Sequence, residues 1–331
     1  MAVIKKIRML DTVTEAPSAK DRRWSFVVAG PGGTGKSWLL GTMAKQYKTL
    51  VIATLPRELD SHQYLVNREN VRRILLEDPE WKPFSEQQRL NTIAGTNFLK
   101  LVEELRDDTE YDAVIVDSGT ELAEFMWHAA CGAMSVAAPS QITDKRSRWL
   151  PYETMAMSLD QGIKELTALT KVAARPKFVG ISWHVQAPKD DTVEFSGSGD
   201  AAVRQTKVSA DHSAEGLEYE GKVLPAIRGQ YRRRLIDKVE AFVYTEVTKK
   251  LSQGSTSLKN MRHDVEYKIQ VRPDEERHTK IPGPLPDVKY IPNDFQALAE
   301  LVNAGLAASE DEEAAAEVAP AAPRKSSLSR K

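Results

Sequence analysis

The stretch Trp24-Ser25-Phe26-Val27-Val28-Ala29-Gly30-Pro31-Gly32-Gly33-Thr34-Gly35-Lys36-Ser37 decides the fold. It opens with a short apolar run of strand length. Residues 30–37 then fit G-x-x-x-x-G-K-[ST], a pattern that carries meaning only between a buried strand and the start of a helix. The helix signal follows at once, with Leu40, Met43, Ala44 and Tyr47 at i, i+3, i+4 and i+7. In that setting the glycines let the backbone wrap closely around a phosphate, with successive N–H groups and the helix start aimed at the anion. Gly30, Pro31, Gly32, Gly33, Thr34, Gly35, Lys36, Ser37 and the adjoining Trp38 are therefore expected to bind a nucleoside triphosphate. Lys36 would bridge the β- and γ-phosphates, and Ser37 would offer its hydroxyl to Mg²⁺.

Working outward, further apolar runs recur at Leu50–Ala53, Ala113–Val116, Lys177–Ser182 and Ala241–Thr245. Residues 62–110 read as helical, with Phe98, Leu101, Val102 and Leu105 on one face, and a long helix fits 153–172. Val265–Val271 alternates and reads as an edge strand. Continuous apolar strands separated by helices predict an α/β fold with a mostly parallel sheet covered by helices on both faces. The chain divides into a charged leading segment (1–21), one P-loop domain (22–306) and a low-complexity tail (307–331) expected to be disordered. Residues 187–222 are polar and aperiodic, and read as a long loop or lid.

Composition narrows the field. The 331 residues carry 46 basic and 47 acidic side chains, so any nucleic-acid site must be a local patch. Cys131 is the single cysteine, which excludes an intramolecular disulfide and a cysteine-based zinc site. No apolar run is long enough for a membrane span. Together these features predict a soluble protein of a reducing compartment, that is, a cytoplasmic one.

The partner of a phosphate loop is an acidic residue ending another central strand. Asp117, just past Ala113-Val114-Ile115-Val116, has that form and would hold Mg²⁺ directly or through water. Ser118 and Thr120 would line the same edge. Glu58 and Asp60, after the second strand, and Glu121, after Asp117, are three candidates for the residue that activates water. A helix-start carboxylate favoured by the macrodipole is an equal reading of the first two. His184 ends the fourth strand, where it could sense the γ-phosphate or be simply hydrogen-bonded. Arg228-Gly229-Gln230-Tyr231-Arg232-Arg233-Arg234 could hold nucleic-acid phosphates with Tyr231 stacking on a base, or form a solvated helix face.

The order of phosphate loop, carboxylate turn, Val-Ile-Val-Asp-Ser and Phe-Val-Gly-Ile-Ser-Trp-His resembles the RecA-like ATPases encoded by bacteriophages, in particular the Sak-type single-strand annealing ATPases. The resemblance covers about residues 22–300. It implies ATP and Mg²⁺ as cofactors, a homo-oligomer, single-stranded DNA as the partner and a role in phage recombination or replication inside a bacterial host, alongside other recombination proteins. By position it implies Lys36, Ser37 and Asp117 as nucleotide and metal residues, Glu58 as the catalytic acid, and Lys280 as a cation reaching a neighbouring subunit's γ-phosphate. The turn at Lys280 lacks the Lys-x-Arg form of the family. Two other functions fit the residues: a nucleotide-gated scaffold with little hydrolysis, and a small-molecule phosphotransferase. Against the last, residues 187–222 hold one arginine, Arg204, where kinase lids commonly clamp phosphate with several basic groups.

Overall fold

The computed structural model describes residues 22–61, 68–76, 84–136, 138–186, 193–196, 203–206, 223–227, 231–251 and 263–318. The first apolar run forms β1 (Ser25–Gly30), and the phosphate loop leads into α1 (Lys36–Gly41), extended by a 3₁₀ turn at Thr42–Lys45. Next come β2 (Thr49–Ala53), α2 (Pro56–Ser61), β3 (Val71–Leu75), α3 (Phe84–Asp107) and β4 (Ala113–Asp117). Helices α4 (Gly119–Ala133) and α5 (Leu150–Ala168) precede β5 (Phe178–Gln186). A hairpin of β6 (Val193–Ser196) and β7 (Val203–Thr206) lies within the segment read as an aperiodic loop. The chain continues through β8 (Leu224–Pro225), α6 (Tyr231–Asp237), β9 (Ala241–Leu251), β10 (His263–Gln270), β11 (Tyr290–Pro292) and α7 (Phe295–Val318).

The main sheet runs β11-β10-β9-β1-β5-β4-β2-β3, with β8 paired to the end of β5. From β9 to β3 every pairing is parallel, while β10 and β11 add antiparallel strands at one side. The period-two rule divides each central strand between two cores. Val27, Ala29, Val114, Val116, Val179 and Ile181 face α3, α4 and α5. Phe26, Val28, Ile115, Phe178 and Val243 face α1 and α7. Because both faces are covered, the strands read in sequence as unbroken apolar runs. The chain therefore has the expected α/β fold, a mostly parallel sheet covered by helices on both faces, in which β5 separates the phosphate-loop strand β1 from the aspartate strand β4.

Three elements depart from the sequence reading. β3 falls inside the segment read as helical; it is an edge strand whose Arg72 and Arg73 are exposed, so it lacks the apolar run that marks its neighbours. β10 is not the edge, because β11 pairs with it over three residues, Lys268 opposite Pro292 through Gln270 opposite Tyr290. The tail does not begin as a disordered segment at 307: α7 continues to Val318, over a run of alanines and glutamates that are good helix formers. Residues 1–21 and 319–331 lie outside the described residues, as does most of 187–222.

Candidate functional site

The phosphate loop spans the turn from β1 to α1, and its shape depends on glycine at specific points. Gly33 and Gly35 have φ of 74° and 90°, in the left-handed region that L side chains rarely adopt. A Cβ on Gly30 would stand 2.5 Å from the Thr245 hydroxyl and 2.8 Å from the Thr34 hydroxyl. Those two hydroxyls are 2.7 Å apart, and Thr34 Oγ1 also donates to Pro31 O at 2.9 Å, so β9 braces the loop from behind. From the other side, Asn293 Nδ2 donates to Gly35 O at 3.0 Å. The loop is thus held by its own fold, before any ligand contributes.

Lys36 is 7% exposed and turns its ammonium back onto the loop, donating to Gly30 O at 2.9 Å and Pro31 O at 2.7 Å. Burial lowers its pKa to about 8, with the nearby Asp117 acting in the opposite direction. An incoming phosphate supplies better acceptors for the same ammonium than two neutral carbonyls.

Asp117 ends β4 at 3% exposure and accepts a hydrogen bond from Ser182 Oγ on β5. The Asp117–Ser118 peptide is cis. Near it, across the neighbouring strand β2, Glu58 of α2 is 7% exposed and folds its carboxylate back over the start of its own helix. Its Oε2 accepts from Thr54 N at 3.0 Å, Thr54 Oγ1 at 2.7 Å and Leu55 N at 2.8 Å. All three bonds fall on one oxygen, so Oε1 keeps its acceptor capacity. Burial drives the Glu58 pKa up to about 7, reinforced by Asp117 and opposed by the Thr54 hydroxyl and the backbone donors. Thr54 also ties the two carboxylate strands together, since Ser118 N donates to its hydroxyl at 2.9 Å and Thr54 N donates to Asp117 O at 2.8 Å.

One cavity of about 910 Å³ collects these groups. Its walls include Gly32, Gly33 and Gly35 of the loop, Lys36, Ser37, Trp38, Arg57, Glu58, Asp117, His184 and Tyr267. That size is within the range that holds a nucleotide-sized ligand. His184 sits on β5 opposite Gly30, where the pairing with β1 ends and two residues before the strand does, and its backbone N–H donates to Thr120 Oγ1 at 2.9 Å; burial lowers its pKa, and the Lys36 charge adds to this. Arg57 pairs with Glu121 at 3.4 Å, and burial raises the Glu121 pKa against that attraction. For a divalent cation, the Ser37 hydroxyl and the Asp117 carboxylate are hard oxygen donors beside the phosphate loop. Among the described residues no cluster of three or more His, Cys, Asp or Glu side chains could hold an ion alone. Ser37 and Asp117 match in number and kind the one or two protein oxygens with which Mg²⁺ is commonly held alongside substrate phosphates and water.

The sequence-expected residues divide cleanly. The phosphate loop, Trp38, Glu58, Asp117 and His184 come together. Lys280 does not: its ammonium donates to Val239 O at 2.6 Å and to Ile236 O and Asp237 O at 3.3 Å, closing the end of α6. A cation already spent on three carbonyls is a helix-end clamp rather than a free finger. Arg228 lies outside the described residues. Tyr231, Arg232, Arg233 and Arg234 form α6, and Arg234 is exposed. Sequence reasoning missed Thr54, Thr245, Asn293 and Tyr267, because each meets the site through a contact between segments far apart in sequence rather than through a motif. Only the alternation around Tyr267 hinted at an outward-facing aromatic.

No family model matches the chain. No curated protein matches it either. Among solved structures it is similar to a prototypical ATPase from the type III secretion system of pathogenic bacteria, at 13% identity, a TM-score of 0.37, and coverage of 67% of this chain and 51% of that one. It is also similar to the assembled ATPase EscN of enteropathogenic E. coli, at 19% identity, a TM-score of 0.33, and coverage of 48% and 36%. EscN in complex with its central stalk EscO gives 16% identity and a TM-score of 0.31, with coverage of 49% and 37%. The chain thus spans about half the length of the first and little more than a third of the others. No helix among the described residues is long and apolar enough to cross a membrane.

Proposed function

We propose that this protein is a Mg²⁺-dependent ATPase that works on single-stranded DNA as a homo-oligomer, in recombination or replication. The observation that carries the ATPase reading is the meeting of Lys36, Ser37, Asp117 and Glu58 in one cavity with the phosphate loop. Each has a distinct task. Lys36 neutralises charge on the β- and γ-phosphates, and Ser37 and Asp117 supply oxygens for the cation. Bound there, Mg²⁺ would neutralise the phosphate charge that develops during transfer. Glu58 is the base: a water oxygen bonds to the γ-phosphorus, the bond to the β–γ bridging oxygen breaks, and the water proton passes to the Glu58 carboxylate. A carboxylate whose pKa is about 7 is well matched to accept that proton at neutral pH.

The DNA part of the reading rests on the resemblance to the annealing ATPases and on the Arg232–Arg234 run in a chain of near-zero net charge. Turnover measured with and without single-stranded DNA tests it. The expected result is stimulation by DNA that weakens with added salt and is lost in an Arg232/Arg233/Arg234→Ala triple variant. Turnover indifferent to DNA would instead favour a nucleotide-gated scaffold.

A further inference from the structure

The cavity holds two large side chains that the phosphate chemistry does not use. Trp38 and Tyr267 both line it, and both are left partly open to solvent, at 45% and 44% exposure. Their position follows from the sheet order. β1 stands between β5 and β9, so the carboxyl ends of β5, β4 and β2 bring His184, Asp117 and Glu58 to one side of the phosphate loop. Tyr267 is on β10, two strands from β1 in the opposite direction. It reaches the loop there: a Cβ on Gly35 would stand 3.0 Å from Tyr267 Cδ1. Trp38 follows Ser37 directly in α1. The cavity therefore has a charged side and an aromatic side with the loop between them. A triphosphate whose γ-phosphorus meets the carboxylates directs its other end toward the two rings.

Neither ring carries a carboxamide or a carboxylate, the groups that read the hydrogen-bonding edge of a base. The carboxamide nearest to them, Asn293, is buried beneath the loop with its amide committed to Gly35 O and is not part of the cavity wall. Stacking on an aromatic ring tolerates any base, since every base has a π-face. Discrimination between similar ligands needs buried polar groups that one of them would leave unpaired. We propose that Trp38 and Tyr267 hold the nucleobase by stacking, so that the site takes ATP and GTP alike and prefers purines to pyrimidines by contact area. This rests on the nucleotide reading above and adds the base subsite to it.

The test compares ATP, GTP, CTP and inorganic tripolyphosphate, each with Mg²⁺, on the full chain by calorimetry. Tripolyphosphate probes the loop without a base. The wild type should bind ATP and GTP within a few-fold of each other, CTP more weakly, and tripolyphosphate roughly ten- to hundred-fold more weakly than ATP. Tyr267→Ala should weaken ATP roughly ten-fold, part of the way to the tripolyphosphate level because Trp38 still stacks, while tripolyphosphate itself is unmoved, and Tyr267→Phe should restore ATP binding. The proposal is overturned if Tyr267→Ala keeps wild-type ATP affinity, if it weakens tripolyphosphate as much as ATP, or if ATP and GTP differ by a hundred-fold or more. Wild type that binds neither ATP nor tripolyphosphate overturns the nucleotide site itself.

Discussion

Glu58 shows how one carboxyl group meets two opposed demands. Its burial beside Asp117 makes the ionised form costly, and the Thr54 and Leu55 donors only partly offset that cost. The folded chain therefore holds this proton more tightly than the unfolded chain does, between the ordinary carboxyl value of 4.5 and about 7. Its contribution to stability is present at low pH and is lost as pH rises through about 7. The ionised base appears over the same interval, so activity rises where this group's stabilisation falls. Turnover by the wild type should thus climb with pH through about 7, and Glu58→Gln should lose that limb together with about 10²- to 10⁴-fold of kcat. ATP affinity should stay within a few-fold, because the bonds from Thr54 and Leu55 are internal to the protein. An unchanged pH profile in Glu58→Gln would assign the base elsewhere. At this scale the phosphate loop and Asp117 were legible in the sequence because strand, turn and helix signals coincide there. Thr54 was not, because its role depends on β2 lying beside β4, a pairing no local pattern encodes.

Lys280 is a lesson at the scale of elements. A basic residue in a turn after a hairpin reads from sequence as a candidate cation for a neighbouring subunit. The turn instead bridges back to β9 through reciprocal bonds between Lys280 and Phe242, at 2.7 and 2.9 Å. That bridge delivers the ammonium to the carbonyl end of α6, where a cation also complements the helix dipole. Lys280→Met should lower stability by about 1–2 kcal/mol, read in denaturant melts, through lost helix-end bonds. Turnover per folded molecule should be unmoved; a large fall in kcat with unchanged stability would restore the catalytic reading. The strands follow the same logic. β1, β2, β4 and β5 were legible because parallel strands buried on both faces leave unbroken apolar runs. β3 was not, since an edge strand with one wet face shares its mixed composition with an amphipathic helix.

For the whole molecule, the phosphate loop is held between two cores that lie on opposite faces of one sheet. The second core depends on α7, which sends Phe295, Leu298, Ala299, Val302 and Leu306 under the sheet. Its start is fastened to the helix that follows the loop, with Phe295 N donating to Thr42 Oγ1 at 2.8 Å and Asp294 paired to Lys45. Burying Phe295, Leu298, Val302 and Leu306 contributes about 1.5–3 kcal/mol each, so losing them together removes a sum comparable to the whole stability of a typical domain. A chain ending after Leu306 should melt as the full chain does, whereas one ending after Asp294 should not fold; equal melting of all three would show that α7 is dispensable. The central claim is that the loop, Asp117 and Glu58 form a working ATPase site. ATP hydrolysis by the full chain with Mg²⁺, set against Lys36→Ala, tests it most directly. Turnover in the wild type that the variant loses is the predicted result, and equal turnover in both, or none in either, would contradict it.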